Sequence, residues 1–181
     1  IVGHVDTITD TRSLGTWTAE QFDPSLDWGK VETLMNMWGG KVILKGILDA
    51  EDAKMAAKLG ADAITVSNHG GRQLDGALSS IKVLPEIMDA VGGDIEVHLD
   101  SGIRSGQDVL KALALGAKGT MIGRAFVYGL GAMGQAGVTR ALEVIHKELD
   151  TTMALCGEKS VENLGRHNLL VPADFTGTWA P

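Results

Sequence analysis

Apolar and polar positions along this chain change period repeatedly, from short unbroken runs to helical spacing and back. Val42-Ile43-Leu44, which leads into Lys45-Gly46, is a short apolar run with β-branched residues and predicts a strand buried on both faces. Ala63 to Ser67, Ile95 to Leu99 and Gly119 to Ile122 predict three more strands. Between them, Ala50 to Leu59, Ser80 to Val91 and Ser105 to Leu115 carry helical spacing, and glycines at 60, 92, 93 and 116 stop these helices. Upstream, Ser25 or Asp27 can cap a helix whose apolar positions are Val31, Leu34, Met35 and Trp38, ended by Gly39-Gly40. Downstream, Gly129-Leu130-Gly131 predicts a break. Ala136 to Cys156 then predicts a long helix with Val138, Leu142, Ile145, Leu149 and Met153 on one face, and Ser160 to Leu164 a short last one. Residues 1–23 are polar and aperiodic and are expected to be a long mobile loop, and 168–181 a tail.

Four strand-then-helix units, each about 25 to 30 residues long, are the signature of a parallel β/α architecture. The charged and polar residues of all four follow the strands, so they gather at one end of the sheet. In a (β/α)₈ TIM barrel that end carries the active site, with a phosphate site typically after strands 7 and 8. The expected fold is therefore the last four units of such a barrel plus C-terminal helices. The domain reading is a loop over 1–23 and the C-terminal half of one barrel domain over 24–181.

Composition narrows the function without naming it. The 181 residues are 44% hydrophobic and 22% charged, as in soluble globular proteins, and the net charge of -7 argues against a nucleic-acid partner. Cys156 is the lone cysteine, which excludes a disulfide framework and a cysteine-built zinc site; no metal is expected, and Cys156 is read as a small buried hydrophobe. No apolar run approaches the roughly 20 residues of a membrane span. Glycines around Gly129 and Gly134 lack the strand and helix of a dinucleotide site and are read as a turn.

Candidate chemistry concentrates in Ser67-Asn68-His69-Gly70-Gly71-Arg72-Gln73, at the end of the second strand. His69 offers a proton acceptor and Arg72 a two-bond grip on a carboxylate, three residues apart over two glycines. The competing reading is a turn-capping histidine and a solvated arginine. Lys45, at the end of a buried strand, would need an anion or strong acceptor. Asp100-Ser101-Gly102-Ile103-Arg104 leads into a helix whose first amides attract phosphate, and Gly123-Arg124 adds a second amide and guanidinium from the next strand. Together the two loops make a phosphate cup.

These motifs, in this order and spacing from about Leu26 to about Leu169, resemble the FMN-dependent 2-hydroxy-acid dehydrogenase and oxidase family, most closely its bacterial L-lactate dehydrogenases. The resemblance implies FMN as cofactor and oxidation of an L-2-hydroxy acid, lactate-like, to the 2-keto acid, with electrons passing to quinone or oxygen. It implies that His69 abstracts the proton and also contacts substrate, and that Arg72 binds the substrate carboxylate. Lys45 and Ser67 would meet the flavin ring, Asp100 the ribityl hydroxyls, and Gly102, Arg104, Gly123 and Arg124 the phosphate. The family's histidine-orienting carboxylate, substrate tyrosines and second arginine belong to its first half, so that half is an expected partner. A homo-oligomer, by resemblance a tetramer, is also implied, as is a cytoplasmic protein with peripheral contact to the inner face of the membrane, where Val2 to Phe22 would be the remnant of a cleavable loop. The alternative is a non-catalytic flavin- or phosphate-binding half-barrel that serves as an assembly partner.

Overall fold

The computed structural model describes residues 10–21, 23–172 and 175, and divides into two compact units, 1–40 and 41–181. In the first unit, helix α1 (Thr11–Gln21) stands where a loop was expected. Its start is set by a reciprocal pair: the Ser13 amide donates to Asp10 Oδ1 at 2.7 Å and the Asp10 amide to Ser13 Oγ at 2.9 Å. Two amides are thus satisfied at once, which offsets the weak propensity of Gly15 and the threonines. Residues 1–9 and 22 lie outside the described residues, and with them part of the expected loop. Helix α2 (Trp28–Trp38) has the expected caps: Asp27 accepts from the Lys30 amide, and Gly39 closes the helix at φ 63°.

The second unit is a four-stranded parallel sheet in the order β1 (Ile43–Ile47), β2 (Ala63–Val66), β3 (Glu96–Leu99), β4 (Gly119–Thr120). Each strand feeds the next through one helix: α3 (Ala50–Lys58), α4 (Ser80–Val91) and α5 (Gly106–Ala114). Asp49 caps α3, and Ser105 caps α5 in a full capping box with Asp108. Ile64, Val66, Val97 and Leu99 alternate along β2 and β3 and are buried with Val83, Leu84, Ile87 and Val91 of α4. The opposite sheet face carries Ile43, Lys45, Ala63, Thr65, Glu96 and His98; Ala63 and Thr65 at its centre are buried, whereas Ile43, Lys45 and Glu96 on either side are exposed.

The sheet differs from the sequence pattern in three places. β1 runs past Lys45 to Ile47 and is only half covered, with Ile43 48% exposed, because it is an edge: no strand among the described residues pairs with its outer side. Its register slips between Lys45 and Ile47, so Gly46, at φ 102°, is the extra residue of a β-bulge. β4 is two residues long.

Helix α6 (Arg124–Leu155) begins sooner than expected and kinks at Met133-Gly134, not at Gly129-Leu130-Gly131. Gly134 is the turn, at φ 59°, and the two limbs fold back so closely that a Cβ on Gly137 would lie 1.9 Å from the Gly129 carbonyl oxygen. The glycines read as a turn thus include a helix crossing. Cys156 caps the end of α6 and is exposed, not buried, because the helix has left the core by that point. Ser160 caps a single 3₁₀ turn, Val161–Asn163, in place of the short helix. No helix among the described residues is long and apolar enough to cross a membrane.

Candidate active site

All four strand ends open onto one cleft of about 640 Å³, lined by Lys45, His69, Arg72, Asp100, Gly102, Arg104, Gly123 and Arg124. Ser67, fully buried, stands behind it. Every site residue expected from the sequence is therefore brought to one place. The cause is the parallel arrangement, in which each strand finishes on the same side.

At the centre is a charged network. Lys45 Nζ lies 2.9 Å from Asp100 Oδ2 and donates to Ser67 Oγ at 3.2 Å, while the Ser67 hydroxyl donates to Asp100 Oδ2 at 2.5 Å. The anion required by Lys45 is thus Asp100, supplied by the neighbouring loop. Lys45 is not a buried strand end: its side chain is 41% exposed, since β1 is the sheet edge. Burial pushes the Asp100 carboxyl up, but the hydrogen bonds from Ser67, Lys45 and Ser101 and the lysine charge outweigh it, so its pKa falls below the ordinary 3.8.

A carboxyl whose folded pKa is depressed stabilises the fold above its unfolded value, and that contribution is lost as pH falls through the folded value. The stability contributed by Asp100 is therefore intact above 3.8 and disappears on acidification below it. Thermal melts of the parent and an Asp100→Asn variant should converge as pH drops below that window. Curves that stay parallel would show that the network does not bias folding.

His69 follows Ser67, whose hydroxyl accepts the His69 amide at 3.0 Å. Its backbone sits at φ 55°, a left-handed value at which histidine is several-fold enriched over most residues. Its ring lies over Gly46, where a Cβ would come within 2.7 Å of Cε1. The bulge glycine therefore makes room for the imidazole. No carboxylate among the described residues bonds the His69 ring. The turn Asn68-His69-Gly70 is closed by Asn68 Oδ1, which accepts the Gly70 amide at 3.1 Å. Neither Arg72 nor Arg104 has an ion-pair partner among the described residues, and both are exposed.

The phosphate cup takes a modified form. The amides around the start of α5 are mostly engaged: Asp108 Oδ2 accepts from the Arg104 amide at 3.0 Å and the Ser105 amide at 3.1 Å, Glu148 Oε2 accepts from Gly106 at 2.9 Å, and Ser105 Oγ accepts from the Asp108 amide at 3.3 Å. Carboxylates thus cap most of the helix terminus and leave it fewer amides to offer an anion. The amides of Gly102 and Gly123 have no acceptor among the described residues, and a Cβ at either would meet nothing within 4 Å. Two open amides flanked by the guanidiniums of Arg104 and Arg124 suit a phosphate dianion, so the residues present fit FMN. Ser101, quoted in the motif but given no role there, joins the network through its hydroxyl; only its left-handed backbone, invisible in sequence, sets it apart.

The model of the family described as FMN-dependent dehydrogenase matches residues 3–171. The chain belongs to that family. An L-lactate dehydrogenase of Actinobacillus pleuropneumoniae serotype 5b (strain L20) is 53% identical over 154 residues, which are 85% of this chain and 40% of the relative. The solved structure of the monotopic membrane protein (S)-mandelate dehydrogenase superposes with a TM-score of 0.82 at 37% identity, over 92% of this chain and 44% of that one. A mandelate oxidase variant with a monooxide FMN adduct gives a TM-score of 0.76 at 49% identity, over 81% of this chain and 46% of that one. The chain thus spans about 40% of the length of the curated relatives it matches. It corresponds to the C-terminal part of these FMN-dependent dehydrogenases, and its four β/α units are part of a TIM barrel.

Proposed function

We propose that this chain is the C-terminal part of an FMN-dependent enzyme that oxidises an L-2-hydroxy acid, lactate-like, to the 2-keto acid, with electrons passing on to quinone or oxygen. The observation that carries the reading is the shared cleft, where His69 and Arg72 open beside the Lys45–Ser67–Asp100 network and the two open amides. FMN, when bound, supplies the two-electron acceptor. Gly102, Arg104, Gly123 and Arg124 would hold its phosphate, Asp100 would accept from ribityl hydroxyls, and Lys45 with Ser67 would face the ring. Arg72 pairs with the substrate carboxylate by two parallel hydrogen bonds and sets the hydroxyl-bearing carbon against His69. Neutral His69 then takes the proton.

The test is anaerobic addition of L-lactate to the purified flavoprotein. Bleaching of the flavin absorbance supports the reading, and an unbleached flavin rejects it. Within it, Arg72→Lys should raise the substrate dissociation constant by about 10-fold or more, because one ammonium cannot reproduce the planar fork and a hydrogen bond to a charged group contributes roughly 1.5–3 kcal/mol. Saturation curves of the flavin reduction rate read that constant directly.

The same reading extends to partners. A closed barrel needs eight strands, and the described residues supply four, so the first half of the barrel is the expected neighbour of the open edges. Assembly into a homo-oligomer, a tetramer as in the family, follows from that resemblance. Peripheral contact with the inner face of the membrane is supported by α2, on which Leu34, Met37 and Trp38 are exposed, and by the likeness to a monotopic dehydrogenase.

A further inference from the structure

Among the described residues, His69 and Ser101 alone combine a side chain with a left-handed backbone, at φ 55° and 82°. A glycine would fit Ser101 without strain, so the hydroxyl is the reason to look for a role. That hydroxyl accepts the Gly70 amide at 3.0 Å, which is shared with Asn68 Oδ1 at 3.1 Å, and it donates to Asp100 Oδ2 at 3.3 Å. On the other side, Arg124 Nη2 donates to the Gly70 carbonyl at 3.0 Å. Both polar groups of Gly70 are thus held from the loops after β3 and β4. The hold matters because Gly70 and Gly71 are both left-handed, at φ 68° and 73°, and lie between His69 and Arg72. Asn68 Oδ1 lies within the turn, and its Nδ2 reaches the Leu78 carbonyl at 3.2 Å, which is in the same β2–α4 connection. The His69 amide is held by Ser67, and Ser101 and Arg124 are what tie the Gly70 peptide to the loops after β3 and β4.

We infer that Ser101 is a positioning residue: by holding the Gly70 peptide it fixes where His69 and Arg72 stand relative to the cofactor loops. The inference rests on the function proposed above. It separates two things that a sequence motif merges, since the hydroxyl would act on substrate geometry through the Gly70 peptide and on FMN only through its longer bond to Asp100, at 3.3 Å.

The test uses Ser101→Gly and Ser101→Ala in the flavin-loaded enzyme. The first removes hydroxyl and strain together; the second removes the hydroxyl and keeps the strain. Both should slow substrate-driven flavin reduction by about 10-fold, since small misplacements of reacting groups have effects of this order, while the FMN dissociation constant changes by a smaller factor than the rate. Ser101→Gly should melt at or above the parent temperature. Independently of turnover, amide exchange at Gly70 should quicken by about 3- to 5-fold, the loss of one shared hydrogen bond. Parent-like reduction in Ser101→Gly, an unchanged Gly70 exchange rate, or a fall in FMN affinity that parallels the rate would each overturn the inference. If Ser101→Ala fails to fold, Ser101→Gly decides. A parent enzyme that L-lactate does not bleach rejects the proposed function, whereas the Gly70 exchange rate still reports on the tether itself.

Discussion

Replacing His69 with glutamine should slow substrate-driven flavin reduction by about 10²–10⁴-fold while FMN stays bound, the usual contribution of a positioned general base. The ring lies over the bulge at Gly46, and the His69 amide is held by Ser67, so the imidazole is placed by backbone and not by chance rotamer. Glutamine retains polarity but cannot accept a proton. Asparagine is the second variant, because it tolerates the same left-handed backbone and separates loss of the base from strain at φ 55°. Both should be equally slow in anaerobic stopped-flow bleaching across a range of lactate concentrations, with FMN content unchanged. A glutamine variant that reduces flavin near the parent rate would leave His69 a binding residue only.

The second large effect concerns stability. A methyl group added at Gly106 would lie 2.0 Å from the Leu149 amide nitrogen and 2.4 Å from the Glu148 carbonyl carbon, both backbone atoms of α6. No rotamer change relieves that, so α5 and α6 must separate and the Gly106–Glu148 hydrogen bond must break. Gly106→Ala should therefore destabilise the fold by about 3 kcal/mol, at the upper end for overpacking, which lowers the melting temperature by roughly 6–12 °C. Because Arg104 sits two residues before α5, FMN affinity should fall with it. A variant that melts with the parent would mean that α6 can shift without cost.

The strand-helix alternation was legible because its signals are local and redundant. Asp27 and Gly39 bracket α2 as read, Ser105 caps α5, and the site motifs follow strands whose parallel pairing then gathers them. What escaped had other causes. Helix α1 lacks an apolar stripe, and its one signal is the Asp10–Ser13 spacing, which competes with an ordinary turn. The break in α6 was misplaced because four glycines within nine residues look alike in sequence, whereas only Gly134 turns and Gly129 and Gly137 serve a helix crossing. Burial of β1 was overestimated because an apolar run does not say whether a neighbouring strand is present. The capping of the Gly106 amide by Glu148 depends on a contact across 42 residues, which no local pattern encodes.

The unmatched outer sides of β1 and β4 also bear on the time course of folding. Every pairing within this sheet joins strands consecutive in the chain, each linked by a single helix, so all of these contacts close short loops and form early. In the barrel proposed above, strands of the first half would cover the two outer sides, and the last seam would close over a far longer stretch of polypeptide. Until it does, a row of unpaired amides and carbonyls on β1 and the apolar Ile43 face solvent, and a second nascent copy offers the same surface. The interval between sheet formation and that closure would thus be the period in which this chain is most exposed to intermolecular strand pairing.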